Sequence, residues 1–509
     1  MIVAAFLFAL LRPVAFVPLD DRPVTRQLPL LLGAIAGRRM VTPARGDVGN
    51  YLTPGKPDVV LRWLNGPSAS RADAFAVSTD MLVYGGLVAS RIPGVTFADG
   101  YARLHEFRQL RRRHPRAWIG AFGTIMRLAP TGIPAVGAAK DFFAAYPTWS
   151  YLQEYANLHD PPLASEADRA AKLRGLIGEV TLGQYLETRT RDYQIDATIL
   201  QIAASGAIDR VVLGQDDAGP VGLHIKDGRA LEDLAQRLQL GPRASIEPGA
   251  DELGMAMVSA ALARGARWTP HVAVRYSTPD GATFNDPLEF APIESAINAL
   301  IALSGGARDD ATPDLYLYVR VPRTTGVQDD ALFARMQADL AAGHRIAFSD
   351  ISFLSGSFVP QAAFAERLID GGLMQQLDAY SSWNTNANTV GTALAEAVAA
   401  GAGRRTHTYN ALAHAEFTFD RIVDDYAFHD FVRPDLNRYL DARGISDHTY
   451  LLRDVALDVS QRNDAELWNR AQALLSRLYP QYHIAAMHIT LPWDRTFETE
   501  VEAALAPNL

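Results

Sequence analysis

The sequence predicts an α/β fold, a parallel sheet with alternating helices. Three observations carry this. Short runs rich in Val, Ile, Leu and Phe recur without polar alternation, as strands buried on both faces require. An amphipathic stretch follows most of them, which implies right-handed strand–helix–strand crossovers. Turn-forming and charged residues gather where the apolar runs end. At 509 residues the chain exceeds the ~250–300 residues that one core sustains, so two or more domains are expected.

The candidate strands, in order, are 14–19, 39–41, 74–78, 118–125, 210–213, 244–246, 272–276, 315–321, 346–348 and 379–382. Helical periodicity fills 101–113, 230–238, 252–264, 293–303, 330–341 and 361–369. Between 131 and 208 the pattern is helical, longest at 141–155 and 185–204, and reads as a helical insertion in a strand-to-helix loop. Beyond about 404 the strand rhythm fades, and 417–440 and 465–478 read as helices of a helical C-terminal region, 404–509. The expected units are therefore 13–265 with its insertion, 266–403, and 404–509. The first unit suits a TIM-barrel-like arrangement. The alternative is two doubly wound domains facing each other. In both, ligands bind at the carboxyl ends of the strands.

Hydrophobic residues make up 48% of the chain and charged residues 21%, a globular composition that excludes disorder. The net charge of −9 disfavours nucleic acid and anionic membrane surfaces as partners. With no cysteine, disulfides, thiolate nucleophiles and iron–sulfur ligation are excluded. Residues 1–11, MIVAAFLFALL, are wholly apolar but too short to span a bilayer. They read as a first strand or as the apolar part of an export signal, so a periplasmic or secreted location is expected, with a cytoplasmic one as the alternative. No other segment looks transmembrane.

Polar residues cluster at the strand ends. The first strand runs into Asp20, Asp21 and Arg22; the third into Asp80, Tyr84 and Arg91; the fourth into Arg127. The next two end in Gln215-Asp216-Asp217 and in Asp251-Glu252, and the later ones in Asp350 and in Trp383-Asn384 with Asn388. One such residue is commonly a helix cap. A whole row of them desolvates charge unless the charges pair or meet a ligand. Asp216 and Asp217 are the catalytic candidates, because neighbouring carboxyls can be driven to different pKa values, one ionised and one acidic. Glycoside hydrolysis needs such a pair. Adjacent side chains on a strand face opposite ways, so the two act together only where the strand has ended. The remaining residues are assigned to substrate binding, with Trp383 as a stacking platform and Asn384 and Asn388 as hydroxyl partners.

The strings PLDDRP (18–23), STDMLVYGGLVASR (78–91), GQDDAGP (214–220), GADELGM (249–255) and WNTNANTVGTALA (383–395) resemble the bacterial domain-of-unknown-function family 4127. The resemblance spans about 13–440. It implies no activity, but members often look exported. GQDD is also similar to the adjacent aspartates of retaining hexosaminidases, which implies that Asp216 orients a substrate acetamide and Asp217 is the acid/base.

HExxH, P-loop and GxSxG strings are absent, and no cofactor is expected. The twelve histidines are scattered. A carboxylate site for Mg²⁺ or Ca²⁺ from Asp20, Asp21 and Asp80 is the metal option weighed, with none assigned. The expectation is a carbohydrate-acting hydrolase, most simply a glycoside hydrolase with a small-molecule or polysaccharide substrate. A metal-assisted hydrolase of a phosphate, amide or ester is the alternative, and a non-catalytic carbohydrate- or cell-wall-binding protein the third reading.

Overall fold

The structure is a computed structural model that describes residues 12–129, 146–217, 219–353 and 362–508. The export-signal reading of 1–11 and the start of the helix expected at 141–155 lie outside the described residues.

The first sheet contains β1 (Val14–Val17), β2 (Met40–Val41), β3 (Ala74–Ser78), β4 (Trp118–Ile125), β5 (Arg210–Gln215) and β6 (Ala244–Pro248). Their order is β2-β1-β3-β4-β5-β6, with every pair parallel. The second contains β7 (His271–Tyr276), β8 (Ala307–Arg308), β9 (Leu315–Arg320), β10 (Ile346–Asp350) and β11 (Ala379–Ser381). Its order is β11-β10-β9-β7-β8, again parallel throughout. Each of the ten predicted strands overlaps one of these.

The TIM-barrel-like expectation for 13–265 is corrected. Among the described residues β2 and β6 are free edges of an open sheet. Six strands fall short of the eight that close such a barrel. After β6 the chain leaves through the Leu253–Gly265 helix to begin a second sheet. The alternative, two doubly wound units, is what forms.

Alternation along the strands separates the two faces of each sheet. In the first, Phe16, Ala76, Phe122 and Val212 point one way, into a core shared with Val272, Leu315, Leu317 and Ala379 of the second. The Leu253–Gly265 and Asn386–Thr406 helices fill this layer and are buried nearly all round. Ala15, Val17, Phe75, Val77, Ile119 and Val211 point the other way, against the long Glu179–Ala204 helix. The outer face of the second sheet, with Tyr318, Phe348 and Tyr380, is covered by the C-terminal region. Each buried Phe or Leu side chain contributes roughly 1.5–3 kcal/mol, so the central layer fixes the two sheets against each other.

The C-terminal region is helical as expected, chiefly in Ala411–Ile422 and Arg453–Leu478, but it also carries an antiparallel pair. β12 (Tyr482–Thr490) pairs with β13 (Glu500–Pro507). Their polar, half-exposed residues hide the strand pattern in the sequence. The turn between them, 491–499, reaches the carboxyl end of β1, where the Trp493 indole donates to Asp21 at 2.8 Å. No helix of the described residues is long and apolar enough to cross a membrane.

Candidate functional site

The carboxyl ends of both sheets converge on one cleft. β5 stops at Gln215, so Asp216 and Asp217 fall beyond the strand. Asp217 takes a left-handed φ of +40°, which turns the chain and lets both carboxyls face the same space. β6 stops at Pro248, and Gly249 at φ +90° swings Ala250, Asp251 and Glu252 toward them. The loop after β7 brings Leu288 and Glu289, and the end of β11 brings Asn384, Thr385 and Asn388. These residues line a tight cavity of about 20 Å³.

Arginines pair with the aspartates. The Arg22 guanidinium donates to both oxygens of Asp251, at 2.9 and 2.6 Å, and also to Asp20. Burial opposes its charge, but Asp20 and Asp251 outweigh burial and raise its pKa well above the usual value. Arg91 pairs with Asp216, and Arg127 with Asp217 at 2.9 Å. Burial and the neighbouring Arg127 pull the Arg91 pKa down, which marks a local surplus of positive potential.

The two glutamates are in the opposite state. Glu252 is fully buried, and no side chain hydrogen-bonds its carboxyl oxygens. Burial pushes its pKa well above the carboxylate range, and Asp251 and Glu289 add to the shift. The sequence makes room for it with glycines: a Cβ at Gly391 would lie 2.6 Å from the Glu252 Cβ. Glu289 is 1% exposed and accepts the Ala387 amide at 2.7 Å. Burial, with Asp286 nearby, raises its pKa to about 8. Both glutamates are therefore neutral acids near pH 7. Asn388 is 1% exposed, and among the described residues neither of its side-chain polar atoms has a partner, which leaves donor and acceptor capacity open.

Of the sequence-predicted residues, Asp216, Asp217, Asp251, Glu252, Asn384 and Asn388 line this cleft. Asp20, Arg22, Arg91 and Arg127 stand behind it as ion-pair partners. The others go elsewhere. Asp80 is buried against Thr124 and near Asp192, and burial raises its pKa to about 8. Tyr84 lies under the Arg191 guanidinium, 4.5 Å from its ring centre. Gln215 is buried against the helix at Gly228. Asp350 pairs with Arg320 at 3.2 Å and accepts from Ser352.

Two expectations are corrected. Trp383 is not a stacking platform: it is 2% exposed, with its ring stacked on His429 at 5.1 Å and edge-on to Phe497. The Asp20–Asp21–Asp80 set is not a common site, since Asp20 binds Arg22, Asp21 binds Trp493 and Asp80 binds Thr124. Among the described residues no group of three or more His, Asp or Glu side chains stands in metal-ligating geometry.

Sequence reasoning missed Glu289 and Trp493. Glu289 sits in the 277–292 loop, well past the end of β7, where strand-end reasoning does not look. The length of that loop and its NDPLE string were the available signal. Trp493 lies in a hairpin turn remote in sequence from the Asp21, Arg22 and Tyr51 side chains it touches.

No curated protein and no solved structure matches the chain. A family model does match it, over residues 14–502. The chain belongs to the family described as Protein of unknown function (DUF4127).

Proposed function

We propose that the chain is a hydrolase of small polyhydroxylated substrates, a glycoside hydrolase that works by carboxyl acid/base catalysis. The observation that carries this reading is the presence in one cleft of carboxyls in two environments, arginine-paired and buried. Asp216, Asp217 and Asp251 are held by arginines, whereas Glu252 and Glu289 are neutral through burial. Separated pKa values of this kind assign acid and base roles. Glycosidic bonds are cleaved by one carboxylic acid and one carboxylate.

In this reading Glu289 gives its proton to the leaving oxygen. Asp217, whose side chain is 41% exposed, is the carboxylate that meets water or the sugar. The general-acid role thus moves from Asp217 to Glu289, because burial raises the pKa of the Glu289 carboxyl to about 8, whereas Asp217 is paired with Arg127. Asn384 and Asn388 bond sugar hydroxyls. Arg22 and Arg91 keep Asp251 and Asp216 in place.

The test is hydrolysis of an aryl-glycoside panel with and without EDTA. EDTA-resistant release, reduced roughly 100- to 10,000-fold in Glu289→Gln and also lost in Asp217→Asn, is the expected result. Turnover that EDTA abolishes and Mg²⁺ restores transfers the site to metal-assisted hydrolysis. Sugar-induced melting shifts without any turnover make it a binding site.

A further inference from the structure

Backbone strain in this molecule is concentrated at two clefts. Of the nine non-glycine residues with positive φ among the described residues, Asp217 and Asn384 line the cleft above. Tyr51 (φ +44°), Trp493 (φ +62°) and Asp494 (φ +48°) line a second. Such conformations persist only where surrounding structure imposes them, and they gather at ligand clamps. The second cleft is larger, about 400 Å³. It lies where the turn between β12 and β13 meets the loop after β2.

Its walls are rigid and amphipathic. Tyr51 and Trp493 stack at 4.7 Å with 10° between their planes, and Tyr450 stands 6.3 Å from Tyr51. Asp21, 5% exposed, accepts the Trp493 indole at 2.8 Å and the Asn50 amide at 2.9 Å. A carboxylate offers about four lone-pair sites, so acceptor capacity remains for a ligand hydroxyl. The one arginine in the lining, Arg45, is engaged by both oxygens of Glu500, at 2.9 and 2.7 Å. With Asp21 and Asp494 also in the wall, there is no surplus of positive charge for a phosphate or carboxylate.

The two clefts flank a single turn. Asp21 belongs to the second. Arg22, the next residue, pairs with Asp251 of the first and lies 4.6 Å from the Trp493 ring centre. We propose that the aromatic cleft binds a neutral pyranose unit, a subsite for a further sugar of an oligosaccharide whose scissile end occupies the carboxyl cleft. The half-buried Tyr450 meets the apolar face of the ring, because Tyr51 and the Arg22 and Arg495 guanidiniums cover the Trp493 indole, and Asp21 and Asn50 take its hydroxyls. The substrate class is thereby a neutral oligosaccharide rather than a simple glycoside. This deepens the hydrolase reading and rests on it for the word substrate, but not for the binding itself.

The experiment is calorimetric titration of the full chain with cellotetraose and chitotetraose. Wild type binds one of the two. Tyr450→Ala and Asn50→Ala, a half-buried and an exposed residue, each weaken it by about tenfold, the loss of one aromatic or polar contact, with unchanged melting temperature. No binding of either tetrasaccharide, or equal binding by both variants, overturns the subsite, even if aryl glycosides are hydrolysed. Binding that depends on Tyr450 and Asn50 in a protein that hydrolyses no glycoside leaves the subsite standing and sinks the hydrolase.

Discussion

The two parallel sheets repeat one strand order, and their carboxyl ends are built differently. In each, the first strand sits between the second and the third, followed outward by the fourth and fifth: β2-β1-β3-β4-β5 and β8-β7-β9-β10-β11. The first sheet adds β6 at its edge. Its strand-end charges pair across elements far apart in sequence: Arg22 with Asp251 over 229 positions, and Arg91 with Asp216 over 125. The second sheet's charges close on near neighbours, with Arg320 taking Asp329, nine residues on, and Asp350 on the adjacent strand. Long-range pairs leave carboxylates aligned along a cleft, whereas local pairs satisfy themselves. What the second sheet gives the cleft is neutral: the Asn384 and Asn388 amides and the protonated Glu289. The same topology thus supplies the arginine-paired aspartates and Glu252 from one sheet, and Glu289 with the two asparagines from the other.

The largest effect that tests this contrast is loss of the long-range pair. Arg22→Ala leaves Asp20 and Asp251 buried beside each other without a cation. Removing one partner of a buried ion pair costs about 3–5 kcal/mol, so thermal unfolding is expected to shift strongly downward. Arg320→Ala destabilises too, but it leaves ligand binding in the carboxyl cleft intact. Equal loss of binding in both variants would erase the distinction between the sheets.

A second effect is pH-dependent. Glu289 has a folded pKa of about 8 against an ordinary 4.5. The folded state therefore holds a proton that the unfolded chain releases above pH 4.5. Its stabilising contribution is complete below pH 4.5, declines by about 1.4 kcal/mol per pH unit, and is gone above pH 8. Glu289→Gln removes that slope. Melting curves of the variant are expected to flatten between pH 5 and 8 relative to wild type. Parallel curves would mean that Glu289 is ionised in the folded protein, and with it the general-acid assignment would fall.

The α/β class and ten of the eleven strands of the two sheets were legible because buried parallel strands are apolar on both faces. β8 was not, since two residues form no pattern, and neither was the half-exposed hairpin of β12 and β13. Six cleft residues were legible because they follow directly on strands. Their partners were not. Asp217 pairs with Arg127, 90 positions away, and strand order alone brings the two together. Trp383 failed for a related reason. Its Asn-rich surroundings resemble an exposed turn, and nothing local announces that His429 will stack on the indole.

The seam between the sheets gives a smaller test. Gly391, in the Asn386–Thr406 helix that follows the second sheet, is the position where that helix accommodates Glu252 from the first. Gly391→Ala places a methyl group 2.6 Å from the Glu252 Cβ, closer than carbon atoms approach without displacement. Ala favours a helix interior over Gly by up to ~1 kcal/mol, while overpacking costs typically ~1–3 kcal/mol. The expected net is a modest destabilisation of about 1 kcal/mol, read by chemical denaturation. Because the shift displaces Glu252, binding in the carboxyl cleft weakens along with stability. An alanine that stabilised the protein and left binding untouched would show that Glu252 has room to move and is not fixed by the second sheet's helix.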